Sequence, residues 1–268
     1  SALRNILDKN NIRSLPLVDL NDCYVRTFHE MEFLSDTIEG KIEKTFCAAV
    51  IMAGGEGTRL RPFTENLPKP MIEINGIPLL ERQVRNLAKI GISKIYISVN
   101  YLGEIIKEHF GDGHDFGVVI KYLDENKKLG TGGALSLLPE LEKSQSILVM
   151  NGDILTTSDF TNLFYFHQEH DAMITVSAIN YNVEIPYGVI DFKGTEVTQL
   201  LEKPSQSFFC NAGIYALSTD ALKDIPSNKF WNMTDVIDQF LINKSKVTVF
   251  PVHEYWTDIG TPKDLESA

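Results

Sequence analysis

The stretch Ala48 to Met71, AAVIMAGGEGTRLRPFTENLPKPM, sets a short apolar run against three glycines in four positions, then Arg59, Arg61 and Lys69 among three prolines. The run reads as a buried strand. A glycine-rich turn after such a strand lets backbone N–H groups approach and cradle a phosphate. An ordinary tight strand-to-helix turn would use the same glycines. Spacing narrows the choice of phosphate motif. A Walker loop needs Gly-Lys-Ser/Thr beginning five residues after its first glycine, and those positions hold Arg59 (from Gly54) and Leu60 (from Gly55). A dinucleotide fingerprint needs glycine where Leu60 stands and a helix where Pro62 stands, so it fails as well. What remains is an irregular, proline-stiffened loop that holds basic side chains beside an amide cradle. That arrangement suits a triphosphate.

Outward from this loop the grammar is βαβ. The runs KIYISVN, GVVIKYL and SILVMNGD alternate with the amphipathic LLERQVRNLAKI, in which Leu80, Val84, Leu87 and Ala88 recur at helical spacing, and with GEIIKEHF. The expected fold is α/β: a Rossmann-like, mixed but mostly parallel sheet with helices on both faces. Beyond Asp171 the closely spaced runs MITVSAINY, PYGVIDF, EVTQLLEK and FFCNAGIYAL predict an antiparallel β extension. A helix over MTDVIDQFLINKS and a final strand over KVTVFPVHEYW close the domain.

A formal charge of -11 argues against broad binding to nucleic acid or anionic membrane, so any polyanion must be met locally. Cys23, Cys47 and Cys210 form no CxxC pair, which disfavours a disulfide framework or zinc ribbon and fits a reducing cytoplasm. No apolar run is long enough to span a membrane. The chain starts at Ser1 rather than methionine, so an upstream continuation is expected. A homo-oligomer is compatible with the sequence.

The pattern G-G-x-G-T-R-L-x-P-x-T followed by P-K-P, Gly54 to Pro70, resembles the signature of the sugar-1-phosphate nucleotidyltransferases. The resemblance continues through NYLGE, LGTGGAL, NGD, PYGVI, EKP, NAGIYAL and WTDIGTP, from Phe46 to the C-terminus. It implies transfer of a nucleotidyl group from a nucleoside triphosphate to a sugar-1-phosphate, with Mg²⁺ as cofactor. Under it Ala53, Gly54, Gly55, Gly57, Thr58, Leu129, Gly130 and Gly152 hold the nucleotide. Arg59, Lys69 and Lys203 neutralise and align the phosphates, Gly188, Glu202 and Asn211 contact the sugar, and Glu125 belongs with the sugar-binding wall beside the base. Asp153 and Asp258 match the metal-binding aspartates.

Read without the resemblance, Asp153 follows a buried strand at the carboxyl end of a sheet, or else belongs to an Asn-Gly turn. Asp258 reads equally as a loop carboxylate, Lys203 as a solvated strand-end lysine, and nothing in their spacing shows that the two aspartates meet. His167 and His170 read as solvated side chains on a polar helix.

Residues 1–45, a helix, strand, turn and strand ending in the charged connector IEGKIEK, resemble half of a CBS module with a regulatory past, ahead of a nucleotidyltransferase domain over 46–268. That pairing resembles CBS-fused bacterial enzymes that make GDP-sugars, which favours GTP as donor and glucosamine-1-phosphate or mannose-1-phosphate as acceptor. The alternatives are thymidylyl, uridylyl or cytidylyl transfer to glucose-1-phosphate or phosphocholine, and a non-catalytic nucleotide or sugar-nucleotide sensor.

Overall fold

The computed structural model describes residues 14–18, 24–29 and 45–268. Strands β1 (Ser14–Val18) and β2 (Tyr24–His29) pair antiparallel. The remainder of the proposed CBS segment lies outside the described residues. The chain then runs β3 (Ala48–Met52), β4 (Glu73–Ile74), β5 (Ile77–Pro78), α1 (Leu79–Lys89), β6 (Lys94–Val99), α2 (Gly103–Phe110), β7 (Val119–Asp124), α3 (Gly130–Gly133), β8 (Ser146–Asn151), β9 (Ile154–Thr156), α4 (Phe160–Glu169), β10 (Ile174–Glu184), β11 (Val189–Lys193), β12 (Glu196–Leu201), β13 (Ser205–Ser218), α5 (Met233–Ile242), β14 (Val247–Val252), β15 (Trp256–Asp258) and α6 (Pro262–Ser267).

Seven strands form one sheet of order β14-β10-β13-β8-β3-β6-β7. Neighbours are parallel except β13, which runs antiparallel to both β8 and β10. Strand β3 lies inside this sheet and is buried along its whole length, as the unbroken apolar run AAVIM requires of a strand covered on both faces. Its side chains alternate between two cores. Ala49 and Ile51 pack with Leu80, Val84, Leu87, Ile106 and Phe164, whereas Ala48, Val50 and Met52 pack with Ala134, Met233, Val236 and Phe240. Each fully buried aliphatic side chain of this kind contributes roughly 1.5 to 3 kcal/mol. The sheet is thereby fixed between two helical layers, with its central carboxyl ends opening on one edge.

Two expectations need correction. The single closing strand over KVTVFPVHEYW is broken into β14 and β15, and the helix α6 follows it. Strand β14 runs through Pro251 to Val252, the bend at Glu254 interrupts the run, and β15 leaves the main sheet to pair with β9. His167 is buried at 2% exposure, with Nδ1 2.8 Å from Thr175 Oγ1. Helix α4, FTNLFYFHQE, is aromatic, and the face carrying Leu163, Phe164 and His167 turns inward. His170 is half-buried, with Nδ1 2.8 Å from the Phe166 carbonyl. Among the described residues no helix is long and apolar enough to cross a membrane.

Candidate active site

The glycine loop leaves β3 with the Ala53 N–H donating to the Ser98 carbonyl at 3.0 Å, so strand pairing continues into the turn. Gly57 adopts φ 60°, and a Cβ there would stand 2.9 Å from Lys69 Cβ. Glycine is therefore required twice over, by the left-handed backbone and by the lysine stem that crosses it. Thr64 Oγ1 donates to the Gly57 carbonyl at 2.8 Å and closes the loop. Lys69 sits in a short 3-10 turn between Pro68 and Pro70, and it is 8% exposed. The prolines fix the backbone while the ammonium reaches inward.

Its destination is a pair of carboxylates. Lys69 Nζ donates to Asp153 Oδ2 and lies 3.5 Å from Asp258 Oδ1. A two-stranded ribbon that no local sequence pattern announces brings the aspartates together: β9 pairs antiparallel with β15, Ile154 opposite Asp258. The Ile259 N–H donates to the Asp153 carbonyl at 3.0 Å. Gly152 lets the turn press against β3, since a Cβ there would meet the Met52 carbonyl at 2.8 Å. Gln83 of α1 donates Nε2 to the carbonyls of Asn151 at 3.0 Å and Ile154 at 2.7 Å, bracketing Asp153 from below. On the other strand, Trp256 Nε1 donates to the Ala212 carbonyl at 2.9 Å, and the Thr261–Asp264 capping box starts α6 just past Asp258. Burial first, and then the facing Asp153 charge, push the Asp258 carboxyl above its usual range, while Lys69 and Arg59 oppose the rise. Arg59 is exposed and reaches the same place from the glycine loop, with Nη1 3.6 Å from where a Cβ would stand on Gly260.

Two cavities meet here. One, of about 280 Å³, is lined by Gly54, Gly55, Ser98, Glu125, Gly130 and Asp153 among others. The second, of about 350 Å³, is lined by Asn211, Tyr215, Asn232, Trp256, Asp258 and again Asp153. Glu125 is held in the first cavity by Ser98 Oγ, which donates to Oε1, and by the Leu129 N–H, which donates to Oε2 at 2.9 Å. Leu129, Gly130, Gly132 and Gly133 lock onto the segment before α5. The Trp231 carbonyl accepts from the Gly132 and Gly133 N–H groups at 2.9 Å, and a Cβ on Gly130 would come within 2.4 Å of that oxygen. Asn211 Nδ2 donates to Tyr215 Oη at 2.9 Å in the second cavity.

Lys203, Glu202 and Gly188 are placed elsewhere. They flank the exposed hairpin of β11 and β12 and line neither of these two cavities. Glu202 Oε2 lies 3.2 Å from where a Cβ would stand on Gly188, and Lys203 holds a left-handed backbone with φ 45°. Residues to which the sequence pattern assigned no role include Gln83, Ser98, Asn151 and Lys128, whose Nζ pairs with Glu56 at 2.6 Å beside the first cavity, while Thr131 of LGTGGAL lines both cavities. Ser98, the polar residue in the otherwise apolar ISV, and Asn151, inside NGD, carried a readable signal; Gln83 looked like any polar helix position.

Residues 48–268 match the model of the Nucleotidyl transferase family. The chain belongs to that family. Among curated relatives, the chain is 30% identical over 224 residues to the mannose-1-phosphate guanylyltransferase of Mycobacterium tuberculosis, covering 81% of this chain and 62% of that one. It is 35% identical over 227 residues to the bifunctional protein GlmU of Methanococcus aeolicus, covering 82% and 53%. The chain therefore spans less than two thirds of the length of either. Among solved structures it superposes on HddC from Yersinia pseudotuberculosis complexed with GMP-PN with a TM-score of 0.64 at 29% identity, covering 83% of this chain and 98% of that one.

Proposed function

We propose that this protein is a Mg²⁺-dependent sugar-1-phosphate guanylyltransferase, which joins GTP to mannose-1-phosphate or glucosamine-1-phosphate and releases pyrophosphate. The observation that carries the reading is the meeting of two cavities at Asp153, with Lys69, Asp258 and Arg59 at the junction. A two-substrate transfer between anions needs two adjoining sites and a shared positive centre. In the reaction a sugar-1-phosphate oxygen attacks the α-phosphorus in line; that P–O bond forms as the bond to pyrophosphate breaks. No covalent bond to the protein is needed.

The protein's own task is neutralisation and alignment, which together contribute roughly 7 to 11 kcal/mol in well-oriented reactions. The amides of Gly54 to Gly57 receive the triphosphate, Arg59 grips the departing pyrophosphate, and Lys69 offsets charge at the α-phosphate. Lys203, on the hairpin, reaches the attacking phosphate when the sugar is bound. The donor set fits Mg²⁺: two carboxylates share one cation in the structure, and a hard ion of this kind takes one or two carboxylates and completes its shell with phosphate oxygens and water. Asp153 and Asp258 would hold the ion, which would supply Lewis-acid polarisation of the α-phosphate.

Glu125 supports guanine. Guanine presents N1–H and its 2-amino group side by side, and one carboxylate accepts both, whereas uracil and thymine present a single N–H between two carbonyls. The M. tuberculosis relative is named a guanylyltransferase, and the Yersinia neighbour is complexed with GMP-PN. The reading is tested by measuring pyrophosphate release with Mg²⁺, crossing the common nucleoside triphosphates with mannose-, glucose-, glucosamine- and N-acetylglucosamine-1-phosphate and phosphocholine. Turnover confined to GTP and a hexose phosphate supports it. Preference for another triphosphate overturns the donor, and binding without turnover favours a sensor.

A further inference from the structure

Lys69 has a feature that phosphate neutralisation alone does not require. Its ammonium lies within ion-pair distance of both Asp153 and Asp258 rather than facing the glycine loop. The side chain is 10% exposed, against 26% for Asp153 and 44% for Asp258, so it is the most enclosed of the three. Prolines on both sides hold its backbone, and the four-carbon stem passes over Gly57, where a Cβ would stand 2.9 Å from Lys69 Cβ. The stem thus stands between the carboxylate pair and the Gly54–Gly57 loop.

We propose that Lys69 is an internal stand-in for the divalent ion: it neutralises Asp153 and Asp258 until a triphosphate on the Gly54–Gly57 loop draws the ammonium away, and only then do the carboxylates accept the metal. This rests on the reading of the two aspartates as the metal site. The reasoning is electrostatic. Two carboxylates that share a partly enclosed space require a cation. A monovalent ammonium already within the pair competes directly with a divalent ion for the same oxygens, because two cations a few ångströms apart repel strongly at low effective dielectric. A triphosphate shifts the balance by offering the ammonium more negative charge than it leaves. Metal and nucleotide binding are then thermodynamically linked through one side chain, and each raises the affinity for the other. The protein alone holds divalent ions weakly, so the metal is retained chiefly when a nucleotide is there to use it.

The test is direct Mn²⁺ binding to the full chain, followed by loss of the free-ion EPR signal, without nucleotide and then with GTP. Removing a charge-assisted competitor by Lys69→Met is expected to tighten nucleotide-free Mn²⁺ binding roughly ten- to a hundredfold over wild type. Lys69→Arg keeps the competitor and should stay weak, and Asp153→Asn combined with Lys69→Met should abolish the gain. Lys69→Gln serves if Lys69→Met does not fold, which circular dichroism decides. Equal or weaker Mn²⁺ binding by folded Lys69→Met or Lys69→Gln, with wild type still binding Mn²⁺ alongside GTP, overturns the stand-in role and leaves the metal site intact. Failure of wild type to bind Mn²⁺ even with GTP beyond what GTP alone binds overturns the metal-site reading itself.

Discussion

The side chain that most directly supports Asp153 without touching either cavity is Gln83, and Gln83→Met is the perturbation that tests how the site is held. Gln83 is 6% exposed on the inner face of α1, and its Nε2 donates to the Asn151 and Ile154 carbonyls at 3.0 and 2.7 Å. Methionine keeps the length and packing and removes the donor. Each neutral hydrogen bond contributes about 0.5 to 1.5 kcal/mol net, and a buried carbonyl left unpaired costs about 1 to 3 kcal/mol. Gln83 Oε1 has no partner among the described residues, so its removal offsets part of that loss. The balance is a destabilisation of about 2 kcal/mol.

For a domain of this size that corresponds to a fall in Tm of roughly 4 to 8 °C, or a lower urea midpoint at unchanged slope. Because the two carbonyls flank the Gly152–Asp153 turn, kcat should fall about tenfold with KM for the triphosphate little changed. Arg85→Ala, which removes an i,i+4 ion pair with Glu81 and the guanidinium's contact over the Phe116 ring but touches neither flanking carbonyl, is the control: it should cost about 1 kcal/mol and leave kcat unchanged. Wild-type melting and kinetics in Gln83→Met would refute the claim that these hydrogen bonds hold Asp153.

Three further outcomes are expected. Glu125→Gln should lower kcat/KM for GTP by roughly 10- to 100-fold and weaken discrimination against other bases, in a steady-state comparison of triphosphates; unchanged GTP preference would remove Glu125 from base reading. Lys203→Ala should lower kcat/KM by roughly 10- to 100-fold, mostly through the sugar phosphate, and wild-type kinetics would confine Lys203 to the hairpin surface. Burial pushes His167 down to about 4, so the folded state holds it neutral: its stabilisation is complete above about pH 6.5 and declines as pH falls toward 4, by about 2 kcal/mol at pH 5. Denaturant unfolding from pH 7.5 to 5 should show that slope in wild type and a flatter one in His167→Gln.

What could be read from the sequence and what could not divides along a physical line. The strand AAVIM and the spacing of Leu80, Val84 and Leu87 were legible because burial on a sheet or helix face is periodic, and the period is local. The glycine loop was legible in part: failure of two known spacings excluded two phosphate motifs, while the loop's use of Gly57 to admit the lysine stem needed coordinates. The meeting of Asp153 with Asp258 was illegible, because it depends on a pairing of three-residue strands far apart in the chain, too short to carry a period of their own. His167 was misread for a related reason. A histidine shows neither an apolar nor a charged signature, and only the sheet behind α4, with Thr175 waiting, decides which way it faces. The same logic bears on Lys69. Its neighbours Pro68 and Pro70 announce a fixed backbone, but a fixed backbone with a four-carbon side chain specifies a pivot and not an endpoint. The endpoint is set by whichever anion is nearest, the aspartates here or a phosphate when one is bound, and that dependence on occupancy lets one residue serve both stations.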